Sequence, residues 1–215
     1  MSGHPLSQHE KLLKLYCLST VSGLAELEDG TLTRIGGLLE KVEKKISKDN
    51  KPYALLQIED IEGTLDVVVF SQSLQEYEKI MVEGALVLAC GQISKNDDVI
   101  KMYLQELYPL EDAPRLFTER LSIHLPASAV NDGILRKIRD LLKKHPGGTP
   151  VFFCLQFQQG EEIFLSSGHD FKITPAESLI TDLERIIGEE SVYVAASTKP
   201  CRKADSNRKF NGSRR

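Results

Sequence analysis

No apolar run in this chain approaches the roughly 20 residues needed to cross a bilayer, and no basic start leads into an apolar signal segment. Both absences point to a soluble, cytoplasmic protein. Paired ligand spacing is also missing. The four cysteines, Cys17, Cys90, Cys154 and Cys201, are scattered, and two of them sit in apolar strand-like runs where cysteine behaves as a small hydrophobe. His4, His9, His124, His145 and His169 show no metal-ligand spacing either, so reduced thiols and no metal are expected.

Catalytic constellations are equally scarce. Carboxylates occur as adjacent doublets, Glu59-Asp60, Asp97-Asp98, Glu161-Glu162 and Glu189-Glu190. Neighbours on a strand point to opposite faces, which suits turns and strand ends better than a two-metal site. Residues 145–149, His-Pro-Gly-Gly-Thr, superficially suggest a phosphate loop, but they follow a helix, precede a strand and lack the P-loop lysine. Ser166 and Cys154 have no recognisable base in any motif. The sequence therefore offers no catalytic residue and no cofactor site.

What is present is enough apolar material, 41% of 215 residues, for two small domains. Charge is unevenly placed. From Lys199 onward the chain carries seven basic residues against one acidic, a net +6, so the remainder stands at −10 within a total of −4. An acidic body does not hold nucleic acid through bulk charge, because affinity follows the number of phosphates neutralised. Any contact by the folded part must be local.

Pattern along the chain predicts five segments. Residues 1–30 carry too little apolar surface for a domain and read as the remnant of a preceding region plus a linker. Residues 31–112 read as a five-stranded OB-type barrel: a strand bent at Gly36-Gly37, a turn at residues 49–52, and a strand burying Ala54, Leu56 and Ile58. A second turn at residues 60–63 leads to Leu65, Val67 and Val69, then come a helix at 71–81 and two more strands. Residues 113–120 form a linker. Residues 121–196 follow the order strand, helix, strand, strand, helix, strand of a ferredoxin-like or related α/β domain. Its first helix, 131–145, places Ile134, Leu135, Ile138, Leu141 and Leu142 on one side; Thr174-Pro175-Ala176-Glu177 reads as a capping box opening the second. Residues 197–215 form a basic tail expected to be disordered.

The first turn of the barrel crowds Lys44, Lys45, Lys48 and Lys51 beside Tyr53 and Leu55, on a solvent face shared with Val68 and Phe70. Cations to follow a phosphate backbone, next to flat side chains on which bases stack, are what a single strand requires. Lys95, Lys101 and Tyr103 from the last hairpin join the same face. The plainer alternative is a solvated lysine turn over ordinary barrel packing. On the 131–145 helix, Arg136, Lys137, Arg139, Lys143 and Lys144 fall opposite the apolar side, as a solvated face or as a docking surface for a partner.

Several runs together resemble the C-terminal part of the bacterial DNA polymerase III alpha subunit. They are Ser2-Gly3-His4-Pro5-Leu6, Gly36-Gly37, residues 58–63, Val67-Val68-Val69-Phe70, Gly91-Gln92-Ile93, residues 145–151 and Thr174-Pro175-Ala176-Glu177. The resemblance covers about residues 1–195. It implies an OB domain that handles single-stranded DNA and a final domain that docks the tau subunit of the clamp loader, with the remainder of the polymerase as a further partner. It also implies that the catalytic palm, the fingers and the clamp-binding peptide lie upstream, so that this chain is a non-catalytic fragment. Two other readings stand beside it: a degenerate protein-interaction remnant without useful DNA binding, and an anticodon-type OB module.

Overall fold

The computed structural model describes residues 5–96, 99–168 and 171–202. The chain divides into two units. Of the described residues, one holds 5–6, Cys17–Tyr108 and 199–202, and the other joins Ser7–Tyr16, which contains helix α1 (Glu10–Tyr16), to Pro109–Thr198.

The first unit is a closed barrel of strands β1 (Leu32–Ile46), β2 (Pro52–Glu59), β3 (Thr64–Phe70), β4 (Leu86–Asn96) and β5 (Val99–Pro109), in the order β1-β2-β3-β5-β4. This is the OB arrangement that the sequence predicts. β1 pairs with both β2 and β4 because it coils across Gly37. A Cβ there would lie 2.2 Å from the Glu59 carbonyl oxygen, so only glycine permits the approach. Alternation holds along β2 and β3: Ala54, Leu56, Ile58, Leu65, Val67 and Val69 are all buried in the barrel core.

The helix between β3 and β4, α2 (Ser71–Tyr77), is shorter than the predicted 71–81. The amides of Ile80 and Met81 both donate to the Tyr77 carbonyl, a turn that ends the helix, and the Met81 side chain is buried in the core. Residues 17–30, within the predicted remnant and linker of residues 1–30, pack onto the barrel. Leu24, in the 3-10 turn Ser22–Glu26, is fully buried in the barrel core. The Val21 amide donates to Asp60 Oδ2 at 2.7 Å, and the Lys95 amide to Asp29 Oδ1 at 2.8 Å.

Ordered chain also extends beyond the predicted limit at residue 196. Arg34, fully buried, donates from Nη1 to the carbonyl oxygens of Lys199 (2.7 Å) and Pro200 (3.3 Å). Glu106, equally buried, accepts from the Arg202 amide at 2.8 Å and from the Tyr108 hydroxyl at 3.1 Å. Residues 199–202 thus form a strap over the outer side of β1, β4 and β5. The predicted disordered tail lies outside the described residues from 203 onward.

In the second unit, helix α3 (Ala113–Phe117) and strand β6 (Thr118–Pro126) occupy the predicted linker, with Phe117 buried. Then follow α4 (Asp132–Lys144), a short β7 (Pro146–Thr149), β8 (Val151–Gln156), β9 (Glu162–Ser166), α5 (Glu177–Ile187) and β10 (Val192–Ala196). The sheet order is β10-β6-β8-β9. β6 and β8 are parallel direct neighbours, with no strand inserted between them, so the domain is a relative of the split ferredoxin-like arrangement rather than that arrangement itself. Leu121, Ile123, Leu125, Ile138, Leu142, Leu179 and Leu183 form its core.

Two local expectations fail here. Leu135 is 41% exposed, because the buried stripe of α4 centres on Ile138 and Leu142. Thr174 does not cap α5. The flanking Ile173 bridges to Pro146 and Thr149, and the Thr174 hydroxyl donates to the Pro146 carbonyl, so the helix starts only at Glu177 with Ala176 as its N-cap.

Candidate nucleic-acid interface

The outward side of β2, β3 and β5 forms a groove of about 1310 Å³. Strand register builds it. Tyr53 lies opposite Phe70 and Leu55 opposite Val68 across β2–β3, while the parallel β3–β5 pairing sets Tyr103 opposite Val68 and Lys101 opposite Asp66. Residues of one face at adjacent and diagonal positions come within reach of one another. The rings of Phe70 and Tyr103 accordingly stack, with centroids 5.7 Å apart and planes 25° from parallel. Phe70 is nonetheless 36% exposed, which leaves part of the ring turned to solvent.

The β1–β2 turn closes one end of the groove. The Ser47 amide donates to the Lys51 carbonyl at 2.9 Å, the Asn50 amide returns to the Ser47 carbonyl at 2.9 Å, and Ser47 Oγ accepts from the Lys51 amide at 3.1 Å. Asn50 takes φ 58°, a left-handed position that asparagine tolerates. The turn is thereby fixed, and it presents Lys48 and Lys51 at the groove. Among the described residues of the lining, Lys48, Lys51 and Lys101 stand with one aspartate, Asp49, and Asp66 is the register partner of Lys101. Lysine thus outnumbers aspartate in the described lining, although the chain as a whole is acidic.

Of the ten residues expected at this face, Lys48, Lys51, Tyr53, Leu55, Phe70, Lys101 and Tyr103 line the groove together. Three do not. Lys44 pairs with Glu78, and Lys45 pairs with Glu43 at 2.7 Å, both in exposed ion pairs. Hydrogen bonds from Lys41 and Lys45 hold the Glu43 carboxyl down to about 2, so this carboxylate stays charged beside them. Lys95 sits on the other side of its strand and donates from Nζ to the Ala25 carbonyl, tying residues 25–29 to β4. Sequence reasoning missed Ser94, Asn96 and Val99, which line the groove from the ends of β4 and β5. Their signal was the polar turn between two strands already assigned to this side.

On α4, Arg136, Lys137, Arg139, Lys143 and Lys144 are all exposed. Arg139 pairs with the neighbouring Asp140 at 3.0 Å. Asn131 Oδ1 caps the helix by accepting from the Ile134 amide at 3.0 Å, so the whole basic face is presented on a well-ended helix. Among the described residues no helix is long and apolar enough to cross a membrane.

Comparison with known proteins agrees with this geometry. Residues 29–110 match a family model described as an OB-fold nucleic acid binding domain, the tRNA anti-codon family. The chain is 26% identical over 195 residues to the DNA polymerase III subunit alpha of Haemophilus influenzae, and 27% identical over 192 residues to that of Mycobacterium tuberculosis. These alignments cover 89% and 87% of this chain but 17% and 16% of the relatives, so the chain spans about one sixth of their length. Among solved structures, a mitochondrial single-stranded DNA binding protein from S. cerevisiae aligns at TM-score 0.33 and 15% identity, covering 38% of this chain and 96% of that one. A domain of replication protein A from Methanococcus maripaludis aligns at TM-score 0.34 and 14% identity, covering 40% and 90%. Similarity that low adds nothing to the assignment, which rests on the barrel topology and on the sequence relatives. The chain is a homologue of one part of the bacterial DNA polymerase III alpha subunit, and its barrel is an OB-fold nucleic-acid-binding domain.

Proposed function

We propose that this chain is a non-catalytic binding module of bacterial DNA replication, acting in the cytoplasm, whose barrel holds single-stranded DNA in the Tyr53–Phe70–Tyr103 groove. The observation that carries the reading is the stacked pair of Phe70 and Tyr103 beside the cationic turn of Lys48 and Lys51. Bases have π-faces available only when unpaired, and each base–aromatic stack contributes about 1–3 kcal/mol regardless of sequence. Lys48, Lys51 and Lys101 follow the phosphates. Binding is weak and sequence-tolerant, because three lysines neutralise few phosphates.

The exposed basic face of α4 is the docking surface in this reading, with the clamp-loader tau subunit and the remainder of a polymerase as partners. Support comes from the relatives' identity and from the five cations that the helix presents. Catalysis of nucleotide transfer lies elsewhere, in the portion of the relatives that this chain does not span.

The test is binding of a labelled oligothymidylate and of a duplex of equal length by the full chain and by Phe70→Ala. A preference for the single strand that the variant loses supports the reading. Equal binding of both forms, untouched by the substitution, replaces it with that of an interaction module without a DNA groove.

A further inference from the structure

On the face of the second unit's sheet that lies away from α4 and α5, three strands bring different donors together. His124 on β6 is the register partner of Cys154 on β8, and Glu162 on β9 lies diagonal to Cys154, whose direct partner is Phe164. Alternation puts all three side chains on one face. A ring nitrogen of His124, Sγ of Cys154 and a carboxylate oxygen of Glu162 lie within 4.8 Å of one another. The surroundings orient them. Gln156 Nε2 donates to Glu162 Oε1 at 3.1 Å, and the His124 ring is held between Tyr193, with centroids 4.4 Å apart, and the edge of Phe164, at 6.5 Å.

We propose that these three residues bind one zinc-class divalent ion, with a water in the fourth position. One thiolate, one imidazole and one carboxylate form a borderline donor set that suits zinc, and three protein ligands with one open place is a recurrent zinc geometry. Charge agrees: a thiolate and a carboxylate offset a dication, while Arg120, the nearest cationic residue on that strand face, sits four residues along β6 from His124. Cys154 is fully buried, whereas Glu162 is exposed, so the open position faces solvent on the Glu162 side. On binding, the thiol proton passes to solvent as the metal–sulfur bond forms. Gln156 acts as the outer partner that fixes the carboxylate. The ion ties the edge strand β9, whose Ile163, Phe164 and Leu165 are exposed, to β6 across β8.

The other thiol cluster is a poor cage by the same criteria. Cys90, Glu106 and Cys201 also lie within 4.8 Å, but the buried Arg34 guanidinium stands beside them, and Glu106 already accepts two hydrogen bonds. It therefore serves as the control.

Titrating the full chain with cobalt(II), a spectroscopic substitute for zinc, tests the site. We expect one cobalt per chain, a thiolate-to-cobalt charge-transfer band and displacement by zinc. Cys154→Ser abolishes the band and Cys90→Ser keeps it. Because Cys154 is fully buried, Glu162→Gln decides the matter independently of folding: its side chain is exposed, and the affinity falls about 10-fold or more. Zinc raises the melting temperature of the parent chain and not of Glu162→Gln. No charge-transfer band, a band that survives Cys154→Ser, or an affinity unchanged in Glu162→Gln overturns the proposal.

Discussion

Two outward walls of the same barrel have opposite fates. Along β2, β3 and β5 the outward side chains that border the groove include Tyr53, Leu55, Val68, Phe70, Lys101 and Tyr103, with Gln57 and Asp66 farther along the same face. Along β1 and β4, with the far end of β5, they include Arg34 and Glu106, and the chain's own residues 199–202 cover them. The difference lies in chemistry. A buried guanidinium and a buried carboxylate require fixed partners, because leaving either unpaired in a low dielectric is costly. Partly exposed aromatic rings and solvated lysines impose no such requirement and stay available for a ligand. In this barrel one wall is covered by the chain itself, and the other is the wall proposed to bind DNA.

The largest expected effect breaks the covered wall. Arg34→Met removes the buried donor to the Lys199 and Pro200 carbonyls and should destabilise the barrel by about 3 kcal/mol or more, since each hydrogen bond from a charged group contributes roughly 1.5–3 kcal/mol, read by urea unfolding. The same logic ranks two truncations: removing residues 199–215 strips the strap and lowers stability more than ending the chain after residue 202, which keeps it.

On the open wall, Phe70→Ala should weaken single-strand binding by about 1–3 kcal/mol. Folding stays intact, since the ring is on the surface, and equilibrium anisotropy with parallel thermal melts measures both. Next, replacing Lys48, Lys51 and Lys101 together by alanine should reduce the slope of log K against log salt by about 2, from roughly 0.7 per phosphate contact on a single strand. Lys44→Ala with Lys45→Ala should have the smallest effect. Those ammonium groups are already paired with Glu78 and Glu43, whose carboxylates repel phosphate.

Legibility in the sequence follows the same division. The groove was readable because strand alternation assigns faces directly: Tyr53 and Leu55 had to share a side once Ala54, Leu56 and Ile58 were buried. Ion pairing was not readable. Lys44 and Glu78 lie 34 residues apart, and nothing local distinguishes Lys44, which is engaged, from Lys48 at the groove. The strap was invisible for a stronger reason. Arg34 finds its partners 165 and 166 residues away, in a polar segment that lacks periodicity and by composition alone reads as disordered. Leu24 was missed similarly, since a single buried leucine in a 3-10 turn carries no repeating pattern. In the second domain the order of elements was legible, while the neighbour relation of β6 and β8, which distinguishes it from a split arrangement, depends on packing that linear order leaves open.

The central claim is that the open wall reads unpaired bases through its rings. The most direct measurement compares the affinity of the chain ending after residue 202 for an oligothymidylate and for a duplex of equal length, with Phe70→Ala and Tyr103→Ala beside the parent. This form removes the basic residues from 203 onward, which attract any phosphate. The account predicts a single-strand preference in the parent that collapses in both variants while their melting points hold. A parent that binds neither form, or that binds both equally with the variants unchanged, contradicts it.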